Sequence, residues 1–278
     1  MHRIKAYFLL TRPVNVVIGG LSIFMGAFIA GSIQPMRNVL LAMASGSLMA
    51  AAANAINDYF DINIDRINKP HRPLAAGHLS PAEAYIFAMW LFLLGILAGS
   101  LISWRALVIA IVAFAILYGY SARLKRTMLW GNLSVSFMTA LAFIYGGVAV
   151  NRFYMSLIPA GFAFLFHLGR EIIKDVEDKK GDITENARTL PLVHGNHMAF
   201  TVVTSIFIVL IIATIMPYAF GIFGMTYLLV VTIGVDLVMI YVIASMWRDP
   251  SPPNLGRIST LLKMDMFVGL IAIYTGRF

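Results

Sequence analysis

The chain has 278 residues, 60% of them hydrophobic and only 12% charged, with 21 Lys plus Arg against 13 Asp plus Glu. A soluble domain carries about twice that charged fraction, and a mean hydropathy of +0.82 points to a lipid bilayer. Cysteine is absent, which excludes disulfides, thiolate nucleophiles and Cys-based metal sites.

Nine apolar runs read as crossings of about 30 Å of hydrocarbon, the fourth short and the eighth long: roughly Val14–Ile33, Val39–Tyr59, Ala82–Ile102, Leu107–Tyr120, Leu133–Val150, Phe153–Ile172, Met198–Met216, Phe220–Met246 and Leu261–Tyr274. The first is not a cleavable signal, because it lacks a small-residue cleavage site followed by a soluble domain, and further spans follow it. The expected fold is therefore all-α and integral to the membrane, with about nine transmembrane helices in one domain over residues 1–278. The polar stretches between them, Asp61–Pro81, Lys174–His197 and Arg248–Arg257, read as loops, the last by its prolines. The first two follow spans two and six, which hints at a duplicated four-helix unit plus a last helix.

Basic residues set the topology. Arg3, Lys5, Arg12, Arg66, Lys69, Arg72, Arg123, Lys125, Arg126, Arg170, Lys174, Lys179, Lys180, Arg188, Arg248, Arg257 and Lys263 fall on one side, which is 17 of the 21; Arg37, Arg105, Arg152 and Arg277 fall on the other. The positive-inside rule then puts the N-terminus in the cytoplasm of a multi-pass cell-membrane protein. The +8 balance follows from that topology and from anionic ligands. No soluble basic domain exists to bind nucleic acid.

Eight of the 13 acidic residues lie in two short stretches. In the first, Asn57, Asp61 and Asp65 are spaced four and four, so on a helix they share a face, and Asp58 lies at its edge. In the second, Glu171, Asp175, Asp178 and Asp182 run at spacings of four, three and four, flanked by Arg170 and Lys174. Carboxylates at a membrane edge are costly and need a use. Oxygen donors with no His or Cys among them select Mg²⁺ or Mn²⁺ over zinc, and the six histidines show no HExxH-like spacing. Mg²⁺ prefers one or two carboxylates plus substrate phosphate oxygens, so two such stripes suggest two ions clamping a diphosphate. The competing reading of each stripe is a solvated helix end.

Basic residues beside the stripes are candidate substrate ligands: Arg66, Lys69 and Arg72 in the stiff loop Asn68-Lys69-Pro70-His71-Arg72-Pro73-Leu74, Lys125 with Arg123 and Arg126 after span four, Lys174 in the second stripe, and Arg12 with Asn15 at the start of span one. Tyr59, Phe60, Tyr118, Tyr120, Phe164 and Phe166 are either an interfacial belt or, in part, the wall of a pocket that stabilises a carbocation. The 16 Met residues read as packing fillers. Asp236 lies alone in span eight and receives no role.

The stretch Asn57-Asp58-Tyr59-Phe60-Asp61…Asp65…Asn68-Lys69-Pro70-His71-Arg72-Pro73-Leu74 resembles the first signature of the UbiA-type intramembrane prenyltransferases, and Arg170-Glu171-Ile172-Ile173-Lys174-Asp175…Asp178…Gly181-Asp182 resembles their second. Arg12-Pro13, and Tyr120-Ser121…Leu124-Lys125 before Asn132, also fit. Some members place a Tyr four residues before the residue matched by Lys125, where this chain has Ser121. The resemblance covers essentially the whole chain. It implies an α bundle around a lipid-open central cavity, capped on the cytoplasmic side by the two motif loops. It also implies a first metal site at Asn57, Asp61 and Asp65, and a second at Asp175, Asp178 and Asp182. The second motif, with Arg188-Thr189-Leu190-Pro191 after it, is most similar to the branch that moves a geranylgeranyl group from its diphosphate onto the hydroxyl of geranylgeranylglyceryl phosphate in ether-lipid synthesis. That branch implies a prenyl diphosphate donor, a lipid-soluble acceptor and Mg²⁺ as two ions. Prenylation of an aromatic quinone precursor is the alternative within the family. An alcohol phosphatidyltransferase would need an Asp-Gly pair and a downstream Ala-Arg that the first stripe lacks. A cation transporter would need its acids near mid-bilayer.

Overall fold

The computed structural model describes residues 3–184 and 187–276. His2 and Arg277, counted above, lie outside the described residues, as do the side chains of Asn68 and Lys180. Among the described residues every regular element is helical: α1 (Arg3–Leu10), α2 (Pro13–Ile29), α3 (Met36–Phe60), α4 (Ile62–Asn68), α5 (Pro81–Ser100), α6 (Trp104–Ala122), α7 (Trp130–Ala149), α8 (Leu157–Glu177), α9 (Lys179–Thr184), α10 (Leu190–Ala219), α11 (Met225–Val231), α12 (Leu237–Arg248) and α13 (Pro252–Thr275). A π-helical turn, Thr232–Asp236, joins α11 to α12.

A helix underlies each of the nine apolar runs. Among the described residues seven helices are long and apolar enough to span a bilayer, or eight if α1 and α2, bent by 46°, form one span. The chain is thus a multi-pass membrane protein, with a count of seven to eight by that measure where the runs gave nine. The difference lies largely in α8, whose last turns carry Arg170, Glu171, Lys174 and Asp175. The expected proline loop is shorter than read: Pro252 and Pro253 open α13, where a missing N–H costs nothing. The other two loops hold short helices, α4 and α9.

The chain divides into two compact units, Met1–Lys125 with Leu141–Leu157, and Arg126–Ala140 with Ile158–Phe278. In the first, Leu10, Ile56, Leu74 and Phe92 are fully buried. Lipid tails are as apolar as leucine, so close packing rather than water exclusion must hold such helices together. Small residues supply it. A Cβ on Gly95 of α5 would meet Ser45 O of α3 at 3.2 Å, and Ser45 Oγ donates to Gly95 O at 2.7 Å. A Cβ on Gly26 of α2 would lie 2.0 Å from Phe143 O, and one on Gly146 of α7 would lie 1.9 Å from Ile23 O. The start of α5 is fixed by sequence: Pro81 follows Ser80, whose hydroxyl accepts from Glu83 N at 3.2 Å while the Glu83 carboxylate accepts from Ser80 N at 2.8 Å.

In the second unit α8, α10, α11, α12 and α13 enclose Ile172, Ile173, Phe207, Tyr227, Met239, Met246 and Leu255. The Phe207 ring lies over Gly169, where a Cβ would meet it at 2.3 Å. Near its start, α10 is interrupted at Gly195, whose φ of 83° is open to glycine at no steric cost.

Candidate active site

The first unit builds its cluster at the end of α3. Asn57 and Asp58 stand on the last turn, Asp61 caps α3 and precedes α4, and Asp65 follows on α4. The predicted face therefore crosses a helix break. It survives because the four-residue hydrogen-bond register runs on through it, from Asp61 N to Asn57 O at 3.0 Å and from Asp65 N to Asp61 O at 2.8 Å.

Three basic side chains come to this cluster from three other elements. Arg12 lies in the bend between α1 and α2 and pairs with Asp58. Its φ of 52° and ψ of 71° put it in the left-handed region, a strained backbone for a non-glycine residue. Arg72, from the loop after α4, donates to Asp58 at 3.2 Å and to Asp65 at 2.6 Å. Lys125, in the 3₁₀ turn Leu124–Arg126, pairs with Asp61 and lies 3.4 Å from Asn57 Oδ1, while Asn57 Nδ2 donates to Asp61 Oδ2 at 2.9 Å. Two sets result: Arg12 and Arg72 on Asp58 and Asp65, and Lys125 on Asn57 and Asp61. Of the other predicted ligands, Arg66, Lys69 and Asn15 are exposed. The rings of Tyr59 and Phe60 lie 5.2 Å apart, and Phe60 meets Tyr118 at 5.8 Å. Phe166 instead packs into the second unit's core against Phe207.

The second unit carries the other stripe over the break between α8 and α9. Asp178 N bonds to Lys174 O at 2.8 Å, and Asp182 N to Asp178 O at 3.0 Å. Glu171 is taken up by Arg170 at 2.8 Å and by Lys174 at 3.3 Å, and this pairing holds the Lys174 ammonium above its usual range. Asp175 Oδ2 accepts from Asn132 Nδ2 at 2.8 Å, and Asp182 Oδ2 accepts from Thr189 Oγ1 at 3.1 Å. Burial pushes the Asp175 carboxyl up to about 7; the Asn132 bond opposes this, and Asp182 and Glu171 add to it. Asn132 and Thr189 received no role from the sequence. The available signal was a polar side chain at an otherwise apolar helix start, two residues into α7 for Asn132 and at the N-cap of α10 for Thr189.

Among the described residues no three carboxylate or imidazole side chains converge on a single point. The donors are nonetheless all oxygen at both clusters, which suits a hard cation that completes its shell with phosphate and water.

Residues 20–263 match the profile of the UbiA prenyltransferase family. The chain belongs to that family. Like its relatives it is an enzyme, a prenyltransferase. This UbiA-family chain is 35% identical over 278 residues to a digeranylgeranylglyceryl phosphate synthase of Natronomonas pharaonis, covering 100% of this chain and 98% of the relative. It is 37% identical to one of Methanobrevibacter smithii, covering 98% of each. A solved structure of digeranylgeranylglyceryl phosphate synthase superposes with a TM-score of 0.84 at 32% identity, covering 99% of both chains. The fold is also that of a UbiA homologue from Archaeoglobus fulgidus bound to DMAPP and Mg²⁺, with a TM-score of 0.74 at 20% identity over 96% of this chain and 99% of the other. The cation-transporter and phosphatidyltransferase readings give way to this membership.

Proposed function

We propose that this prenyltransferase moves a geranylgeranyl group from its diphosphate to the hydroxyl of geranylgeranylglyceryl phosphate. The observation that carries this reading is the full-length similarity to synthases of that name. The reaction needs Mg²⁺, held by Asn57, Asp61 and Asp65 in one cluster and by Asp175, Asp178 and Asp182 in the other. When bound, the cation would neutralise charge on the leaving diphosphate. The chain's own cations do the same work: Arg12, Arg72, Lys125 and Lys174 are the charges brought to the carboxylates, and guanidinium and ammonium groups both bind diphosphate oxygens, the guanidinium as a fork and the ammonium as a point charge. Asp58, paired with both Arg12 and Arg72, orients those two cations.

The allylic C1–O bond breaks with its electron pair leaving on the diphosphate. The acceptor oxygen then bonds to C1 and releases its proton. Apolar surroundings keep out water that would quench the cation. The N-terminus and both clusters face the cytoplasm of the cell membrane, as the bias of basic residues supports.

Purified protein in proteoliposomes, given a panel of prenyl diphosphates and acceptors with products identified by mass spectrometry, tests the reading. The expected product is digeranylgeranylglyceryl phosphate. Incorporation only into an aromatic acid would assign the quinone-precursor reaction in its place.

A further inference from the structure

The second unit holds two more carboxylates, buried in apolar helices. Asp236 closes the π-helical turn near the middle of the Met225–Arg248 span and is 2% exposed. Asp265, which the sequence reading passed over, stands near the middle of α13 and is 4% exposed. The charge of Asp236 acts on Asp265. The π turn and α13 are in close contact, since a Cβ on Gly234 would lie 2.4 Å from Val268 Cγ1. On both aspartates Oδ2 is buried without a hydrogen-bond partner. Among the described residues no Lys, Arg or His pairs with either; the other titratable neighbour is Tyr227, whose hydroxyl donates to Thr214 O at 2.7 Å.

Thr214 does not resolve the shortage of positive charge. Its hydroxyl has one proton and faces two acceptors, Ile211 O at 2.8 Å and Asp236 Oδ1 at 3.0 Å. Carboxylates at mid-span are retained only where something compensates them, and among the described residues no cation pairs with either. The donors are carboxylate and hydroxyl oxygens beside a π turn, a distortion that recurs at functional sites. Hard oxygen donors favour a hard ion. Mg²⁺ dehydrates reluctantly and keeps several waters, which apolar helices at mid-span do not supply; an alkali ion sheds its water more readily.

We propose that Asp236, Asp265 and Thr214 form an intramembrane site for a monovalent alkali cation of the sodium class, which ties the π turn to α13. The site is independent of the prenyl-transfer chemistry and is tested without it. The melting temperature of the full chain in nanodiscs, free of Mg²⁺ and prenyl substrates, is followed while NaCl replaces choline chloride at constant ionic strength, with KCl as a second arm. Sodium should raise it saturably, by roughly 2–4 °C. Asp236→Asn and Asp265→Asn should each abolish the response, yet melt at or above wild type in sodium-free buffer, because each removes an uncompensated carboxylate. Thr214→Val, a milder change, should raise the half-effective sodium concentration roughly tenfold. Indifference of the wild type to sodium and potassium, or a response that persists in both Asn variants, overturns the proposal. A melting temperature that follows pH but not sodium also overturns it, and assigns a proton to the pair.

Discussion

Asn132 stands on the first turn of α7, buried, with its amide nitrogen 2.8 Å from Asp175 Oδ2. Replacing it with leucine keeps the volume and removes the donor. A hydrogen bond to a charged group contributes about 1.5–3 kcal/mol, and burial already works against the ionised form of Asp175. At roughly 2–4 °C per kcal/mol, Asn132→Leu should lower the melting temperature by several degrees. The larger effect is on metal. Groups that orient a ligand carboxylate are worth about 10–100-fold in metal affinity, so the Mg²⁺ concentration for half-maximal transfer should rise by that factor. Saturating Mg²⁺ should recover most of the rate. The assay is transfer of labelled geranylgeranyl groups in proteoliposomes across a Mg²⁺ titration, with a thermal melt on the same preparations. A leucine variant with the wild-type Mg²⁺ midpoint would refute the reasoning, as would a rate loss that Mg²⁺ leaves untouched.

Asp61→Ala and Asp178→Ala should each abolish Mg²⁺-dependent transfer in proteoliposomes; full activity in both would sink the metal assignment. Arg72→Gln leaves the buried Asp58 and Asp65 short of a shared counter-charge. Breaking a buried pair costs about 3–5 kcal/mol, so a large fall in melting temperature is expected, with Arg72→Lys intermediate because it keeps charge but loses the fork. Gly26→Ala places a methyl group 2.0 Å from a backbone oxygen and should cost at least about 1–3 kcal/mol, whereas Gly161→Ala, with nothing within 4 Å, should melt like wild type. The absence of cysteine makes topology directly measurable. A cysteine at Lys69 should react with impermeant maleimide from the cytoplasmic side, one at Arg105 from the opposite side, and reversed labelling would overturn the assigned orientation.

Helices were legible where a long apolar run carries its own stop signals, as in Ser80-Pro81…Glu83 before α5. The two acidic stripes were legible as spacing. What spacing could not convey was the break at Asp61 or at Asp178, because an i, i+4 register reads the same whether or not the helix turns beneath it. Nor did it show that Glu171 is claimed by Arg170 and Lys174 while Asp175 depends on Asn132, 43 residues away. That pairing is tertiary, and neither partner advertises it. Asp265 was hidden differently. It sits two residues from Lys263 near the assumed start of a span, and only the earlier start of α13 at Pro252 moves it to mid-helix.

The meeting of α2 and α7 has a consequence for traffic through this protein. Gly26 and Gly146 bring backbone against backbone, with no room there even for a methyl group. A side chain makes way for a guest by turning about χ1; a main chain held in two helices has no such freedom. Whatever path a long isoprenoid tail follows into or out of the first unit, it does not slip between these two helices at this level. The seam acts as a fixed wall, and any doorway must be hung on other helices.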